Sequence, residues 1–271
     1  KYEPSRFEIS CSMEEDLKAS NFQLSEDERL RLRGRIDRVD RYEEDDTIYV
    51  KVIDYKSGNT ALDLTSVYHG LQLQLIVYLN AALELEEKNH PGKHAEPAGM
   101  FYYHVKDPLV DGKPGDEEEE IERKLLEKLK VDGLVRAEEK ILKDLDRELE
   151  AGKKSLVIPA AYNKNGSLSS RSKTASKEQF EELRAYVNDK ICENGTRILG
   201  GEMEKNPYKL KQRTACDYCS FKEICGFDEK QEGNSYRRLP AFSDEELWRK
   251  MREKGEKEDG DEVDAGTAEG H

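Results

Sequence analysis

Two sets of residues have types and spacings suited to chemistry. The first is Asp37, Asp54 and Lys56. Carboxylates at neighbouring strand ends make a hard-oxygen site for Mg²⁺ or Mn²⁺. Lys56 lies two residues past Asp54, and on a strand i and i+2 share a face. Its ammonium can then meet a phosphate or a water. Such a set can activate water and stabilise charge at a phosphorus centre. Asp-x-Lys alone is common, and reads equally well as a solvated strand end. Gly34-x-x-Asp37, then an apolar strand, then Asp54-x-Lys56 is a rarer arrangement. The second set is Cys216-x2-Cys219-x5-Cys225. A C-x-x-C turn aims two thiolates at one centre and the third can close a face. Clustered thiolates with no nearby His suit zinc or a [4Fe–4S] cluster, and either needs a fourth ligand. Cys11, Cys192 and a residue outside this chain are the candidates.

The elements that must position the first set are strands. Leu30–Asp40 alternates apolar and charged residues, and Thr47–Lys56 is rich in Val, Ile and Tyr. The acidic connector Glu43–Asp46 is short enough for a hairpin, and antiparallel pairing would bring Asp37 near Asp54. A long helix is predicted over Thr65–Glu87, with Val67, Leu71, Leu75, Leu79 and Ala82 as its apolar stripe. Gln74 and Tyr78 are four apart on a neighbouring face, where they can reach the site or simply sit at the rim of the core.

Further along, Ala98–Val105 is an aromatic, apolar strand with His104 near its end, a residue more often hydrogen-bonded than catalytic. Helices are predicted over Glu117–Lys130, whose first-turn acids suit the helix dipole, and over residues 135–150. Asn163–Ser176 is a polar loop with an Asn165-Gly166 turn signal; Lys164, Arg171 and Lys173 make it a candidate DNA contact. Ser176-x-x-Gln179 is a capping box opening a helix with Phe180, Leu183, Val187 and Ile191 inward and Cys192 packed beside them. Ser243-x-x-Glu246 caps a short last helix bearing Leu247, Trp248 and Met251. The expected organisation is a lead-in over 1–29, a core over 30–210, a cysteine segment with the last helix over 211–254, and a disordered acidic tail over 255–271.

The chain of 271 residues is 38% charged and carries a net −14, which argues against nucleic acid as a partner. The distribution weakens that objection. Asp116–Glu122 holds six acids and no base, and Gly255–Gly270 holds seven acids and one base; together they carry −12 of the −14. Arg29, Arg31, Arg33, Arg35, Arg38 and Arg41 cluster around the candidate site, so a local positive field is expected. The five cysteines are an odd count and three are bunched, which favours a metal or cluster in a reducing compartment over disulfides. No apolar run approaches the ~20 residues a membrane span needs and no signal-peptide pattern is seen, so a cytoplasmic, non-membrane protein is expected. The chain opens on Lys1 in mid-pattern and reads as part of something longer.

GRIDRVD, VIDYKSG, LQLQLIVYL, PAGMFYYHV, NPYK and ACDYCSFKEICGFD occur in that order. Over roughly Leu30–Tyr236 they resemble the RecB-like nuclease domain that ends the AddB family, the B subunits of bacterial ATP-dependent helicase–nucleases. The resemblance implies an α/β fold of the restriction-endonuclease-like PD-(D/E)XK type, a mixed central sheet flanked by helices, with a C-terminal Fe–S segment. It implies Mg²⁺-dependent exonucleolytic cleavage of DNA during double-strand-break processing, on the 5′-ended strand, beside an AddA-type helicase–nuclease subunit in a heterodimer. It casts Asp37 and Asp54 as metal-binding acids with the backbone carbonyl near Tyr55, Lys56 as the lysine of the D-x-K motif, and Gln74 and Tyr78 as the Q-x-x-x-Y motif. Cys216, Cys219 and Cys225 become three [4Fe–4S] ligands. Two departures stand out. Cys11 lacks the family's Cys-Pro-Phe context, so the fourth ligand is expected outside this chain. No His precedes His69, so the family's upstream metal-binding His is missing, as is any G-x-x-x-x-G-K-[ST] motor motif. The competing readings are a degenerate nuclease fold that holds DNA and docks a subunit, and a zinc-stapled DNA-binding module.

Overall fold

A computed structural model describes residues 1–10, 17–112 and 117–265, with side chains as far as Lys254. Cys11 and part of the Asp116–Glu122 run lie outside the described residues. In chain order the strands are β1 (Glu3–Ser10), β2 (Asn21–Gln23), β3 (Arg29–Arg31), β4 (Arg35–Glu44), β5 (Thr47–Lys56), β6 (His94–His104), β7 (Asp132–Arg136), β8 (Thr174–Ala175), β9 (Tyr208–Leu210), β10 (Arg213–Thr214) and β11 (Arg237–Arg238). The α-helices are α1 (Leu64–Tyr68), α2 (Gln74–Asn89), α3 (Glu118–Leu129), α4 (Glu139–Leu145), α5 (Lys177–Leu199), α6 (Lys222–Cys225) and α7 (Asp244–Ala265).

The main sheet runs β1-β4-β5-β6-β7-β8 and is mixed. β4 and β5 are antiparallel, β5 and β6 parallel, β6 and β7 antiparallel. β5 sits inside because its residues are β-branched or aromatic on both faces. Ile48, Val50 and Val52 are buried towards α2, α5 and α7, among Leu75, Leu79, Phe180, Leu183 and Met251. Each such burial contributes about 1.5–3 kcal/mol. Ile53 faces the other way, onto Phe101, Val135, Leu142 and Ile158. Hydrophobic layers on both faces are what a central strand of an α/β sheet needs.

Several predicted elements differ in detail. The helix expected over Thr65–Glu87 is two helices. Gly70 adopts φ +76°, a left-handed conformation that glycine tolerates and that ends α1. Asp63 caps α1, its carboxylate accepting from the Ser66 N–H at 3.1 Å. The strand expected over Leu30–Asp40 breaks at Gly34, leaving β3 paired with β2 and β4 in the main sheet. The helix expected over 135–150 is the shorter α4, and its first two residues belong to β7, because Leu134 and Val135 are buried on opposite faces of the sheet. The lead-in is not peripheral: β1 pairs with β4 and extends the sheet. The last helix runs past Gly255 to Ala265. Both capping boxes form, at Ser176–Gln179 and Ser243–Glu246. Lys173 is committed to Asp132 at 2.6 Å and to the Leu62 carbonyl at 3.2 Å, so it ties loops together instead of offering a free charge.

Candidate active site

The register Arg38↔Ile53, continued by one residue, sets Asp37 opposite Asp54, and opposed residues on paired strands share a face. Asp54 and Lys56 follow Val52 by two and four residues, so both point to the side covered by α2. The Asp37 carboxylate accepts a hydrogen bond from the Tyr55 N–H at 2.8 Å. The Lys56 ammonium lies 2.6 Å from Asp54 Oδ2 and donates to Gln74 Oε1 at 2.9 Å. The Gln74 amide in turn donates to the Tyr78 hydroxyl at 2.9 Å. Gly34 lies where a Cβ would come within 3.0 Å of the Tyr78 ring, so glycine there lets the ring fill the gap between β4 and α2. All five residues picked out by the sequence therefore meet in one place: Asp37, Asp54, Lys56, Gln74 and Tyr78.

Asp54 is only 3% exposed. Burial pushes its carboxyl above the ordinary carboxylate value, Lys56 pulls it back, and the Asp37 charge pushes it up. Its Oδ2 is buried without an aligned hydrogen-bond donor, so the contact with Lys56 is an ion pair and the oxygen keeps acceptor capacity. A buried, under-satisfied carboxylate oxygen next to a second carboxylate is donor chemistry that fits Mg²⁺ or Mn²⁺. Among the described residues no group of three or more His, Cys, Asp or Glu side chains is arranged for a metal ion. The protein side chains available to a cation here are thus the two aspartates, and a backbone carbonyl such as that of Tyr55 would have to supplement them. Beneath Lys56 lies the Tyr102 ring, 5.5 Å from its ammonium, and burial pushes the Tyr102 phenol up to about 12.

Other candidates resolve differently. His104 is bonded through its ring to the Thr60 carbonyl at 2.8 Å. Half of the arginine cluster is paired with acids: Arg38 pairs with Asp40 at 2.6 Å and Arg41 with the buried Glu86 at 2.9 Å, while Arg35 faces Glu8 at 3.6 Å. Cys219 and Cys225 are exposed, Cys216 is half-buried, and Cys192 packs on α5 against the main core. The three thiols near the C-terminus are soft donors, but they are not drawn into a metal-binding group, so no step of the chemistry is routed through them. No helix among the described residues is long and apolar enough to cross a membrane.

A groove of about 630 Å³ adjoins Lys56 and Gln74. Two of its lining residues, Arg213 and Tyr218, escaped sequence reasoning as members of the site; only the folded chain brings them beside residues more than 130 positions earlier. A larger hollow of about 780 Å³ near Lys1 and His90 touches none of the five site residues.

The chain is similar to known proteins over most of its length. The chain is 45% identical over 252 residues to the B subunit of the ATP-dependent helicase/deoxyribonuclease of Lachnoclostridium phytofermentans, covering 90% of this chain and 22% of that protein. It is 40% identical over 241 residues to the protein of the same name from Thermoanaerobacter sp. strain X514, covering 89% and 20%. The Listeria innocua protein, again of that name, is 39% identical over 250 residues, covering 92% and 22%. The chain thus spans about a fifth of the length of these relatives. The family profile described as the PD-(D/E)XK nuclease superfamily matches residues 2–226, a span that takes in the sheet from β1, the Asp37–Asp54–Lys56 site and the cysteine motif, and the chain belongs to that superfamily.

Proposed function

We propose that this chain is the nuclease domain of a helicase–nuclease of the AddB type and that it hydrolyses phosphodiester bonds in DNA with the help of Mg²⁺ or Mn²⁺. The observation that carries this is the buried Asp54 carboxylate, flanked by Asp37 and Lys56, with an oxygen lacking an aligned donor. Asp37, Asp54 and the Tyr55 carbonyl would hold the cation. Bound there, it supplies positive charge to the scissile phosphate and lowers the cost of ionising water. Lys56 faces the same site and donates a hydrogen bond that positions the attacking water. As the water oxygen bonds to phosphorus it releases a proton to solvent, the bond to the leaving deoxyribose oxygen breaks, and the departing oxygen takes up a proton from solvent. The ammonium offsets the negative charge that grows on the phosphoryl oxygens. Gln74 and Tyr78 act through Lys56: Gln74 accepts a hydrogen bond from the ammonium, and Tyr78 anchors Gln74.

In the relatives' setting the domain would work with an AddA-type subunit on unwound double-strand ends and cut the 5′-ended strand. Cys216, Cys219 and Cys225 would hold a [4Fe–4S] cluster completed by a ligand from outside this chain.

The test is digestion of end-labelled DNA by the full-length protein with its partner subunit, with and without Asp37→Ala, in Mg²⁺ and in chelator. Loss of cleavage of the 5′-ended strand in the variant is expected. Equal digestion by both proteins sinks the catalytic role and leaves a DNA-holding module. Iron and sulfide analysis of the same preparation, with absorbance at about 400 nm, tests the cluster; colourless protein with stoichiometric zinc favours a zinc staple.

A further inference from the structure

The groove beside Lys56 has a rim that the cleavage chemistry leaves unused. Its inner wall is Lys56, Gln74 and Tyr102, and its outer rim is Arg213 and Tyr218. Gln72 also lines it but is spent, accepting from the Asp63 N–H at 2.9 Å and donating to the Ala61 carbonyl at 2.9 Å. Arg213 is exposed and makes no salt bridge among the described residues. It is held by β10, paired with the buried Leu210 of β9. Tyr218 is 97% exposed and contacts no other ring among the described residues. The turn presenting it is braced by Asp217, which accepts from the Thr214 N–H at 2.8 Å and from its hydroxyl at 2.6 Å. An aromatic face this exposed costs free energy in water unless something covers it. Here it lies at a polar groove whose lining includes Lys56, the partner of Asp54.

We infer that Tyr218 and Arg213 form a subsite for unpaired DNA, the ring stacking on a base and the guanidinium taking a backbone phosphate next to the one being cut. This rests on the assignment of Asp37, Asp54 and Lys56 as the cleavage site. A base in a duplex has both faces covered by its neighbours, so a single protruding ring can stack only on an unpaired or terminal base. Arginine adds an electrostatic contact without sequence preference. The substrate presented to Lys56 is then a single strand entering across the cysteine segment. Tyr218 lies between Cys216 and Cys219, so the turn that carries the thiols is also the turn that carries the stacking face.

The experiment uses the full-length protein with its partner subunit and has two readouts. In an Asp54→Asn background, which does not rely on cleavage, 5-iodouracil-substituted single-stranded DNA is photocrosslinked and the adducts are mapped. Crosslinks on the peptide carrying Tyr218 are expected, lost in Tyr218→Ala. In the otherwise native protein, Tyr218→Ala should raise KM for a single-stranded oligonucleotide about tenfold with kcat within about threefold, and Tyr218→Phe should restore it, since the ring face and not the hydroxyl makes the stacking contact. Arg213→Ala should raise KM and lower the salt slope of binding by about one. Crosslinks mapping elsewhere together with an unchanged KM for Tyr218→Ala overturn the subsite, as does Tyr218→Phe behaving like the alanine variant. If Asp37→Ala cleaves normally, the catalytic assignment fails by itself, and the crosslink map still decides where the strand lies.

Discussion

The Asp37 carboxylate accepts the Tyr55 N–H at 2.8 Å, fastening a side chain of β4 to the backbone of β5 between Asp54 and Lys56. One oxygen of Asp37 is committed to holding the strand ends in register, and the other stays available to a cation. Asp37→Asn can keep the first role and loses the second. Cleavage should fall at least about 100-fold in Asp37→Asn and in Asp54→Asn, with the sheet intact, because each removes a charged ligand from a site with only two. Single-turnover cleavage against Mg²⁺ concentration checks this; activity recovered in full at ordinary Mg²⁺ would contradict it.

The Asp54 carboxyl is shifted upward, chiefly by burial. A carboxyl whose folded-state pKa exceeds its unfolded value binds its proton more tightly in the folded chain. Its contribution to stability is therefore full at low pH and is lost as pH rises through the folded-state pKa. At neutral pH and in chelator the ionised Asp54 is a cost to the fold, and Asp54→Asn should raise the thermal midpoint while abolishing cleavage. The gain should shrink as pH is lowered. A midpoint for Asp54→Asn below that of the native protein at pH 7 would show that the charge is compensated.

The same upward shift should move the acid limb of cleavage towards higher pH than an unperturbed carboxylate would give, since the ionised form is the one that can bind a cation. Asp37 contributes to the upward push. The residual activity of Asp37→Asn should therefore persist to lower pH than native activity does. A pH–rate profile for the two proteins checks the direction.

Gly34 and Tyr78 form a matched pair. A Cβ at position 34 would lie 3.0 Å from Tyr78 Cε1 and 3.1 Å from its hydroxyl. Gly34→Ala should push the ring off Gln74, loosen Lys56 and lower kcat about tenfold, with a stability loss of about 1 kcal/mol. Tyr78→Phe, which removes the hydroxyl that Gln74 donates to, should lower kcat in the same direction, and the double variant should cost less than the two effects added. Strict additivity would place them on separate routes to Lys56.

Gly133 pairs with Phe101 across β6 and β7 at φ +152°, and a Cβ there would stand 2.0 Å from the Met100 carbonyl oxygen. Since that contact is with backbone, nothing can step aside cheaply. Gly133→Ala should destabilise the domain by about 2–4 kcal/mol, read as a shift in the urea midpoint.

Much of the site was legible because its groups sit at regular spacings on β5 and α2. Asp54 and Lys56 follow from strand period, and Gln74 and Tyr78 from helix period. The register joining Asp37 to Asp54 follows from a short hairpin. What escaped was non-local. Gly70 looked like part of a helix because the apolar stripe runs on past it, and only the left-handed turn divides α1 from α2. β1 looked like a polar lead-in because an edge strand buries little of itself. The arginines around Asp37 suggested a positive field, yet Asp40, Glu86 and Glu8 answer three of them. Arg213 and Tyr218 carry no local signal at all, because their meaning depends on what lies opposite.

The five residues assigned to cleavage all fall between Asp37 and Tyr78, whereas the rim facing them begins at Arg213. During synthesis at about 5–20 residues per second, the blade leaves the ribosome on the order of ten seconds before its guide. The tools for cutting would thus be made early, yet the wall that seats them includes Phe180 of α5 and Met251 of α7, so they would be set in place only as the guide itself arrives.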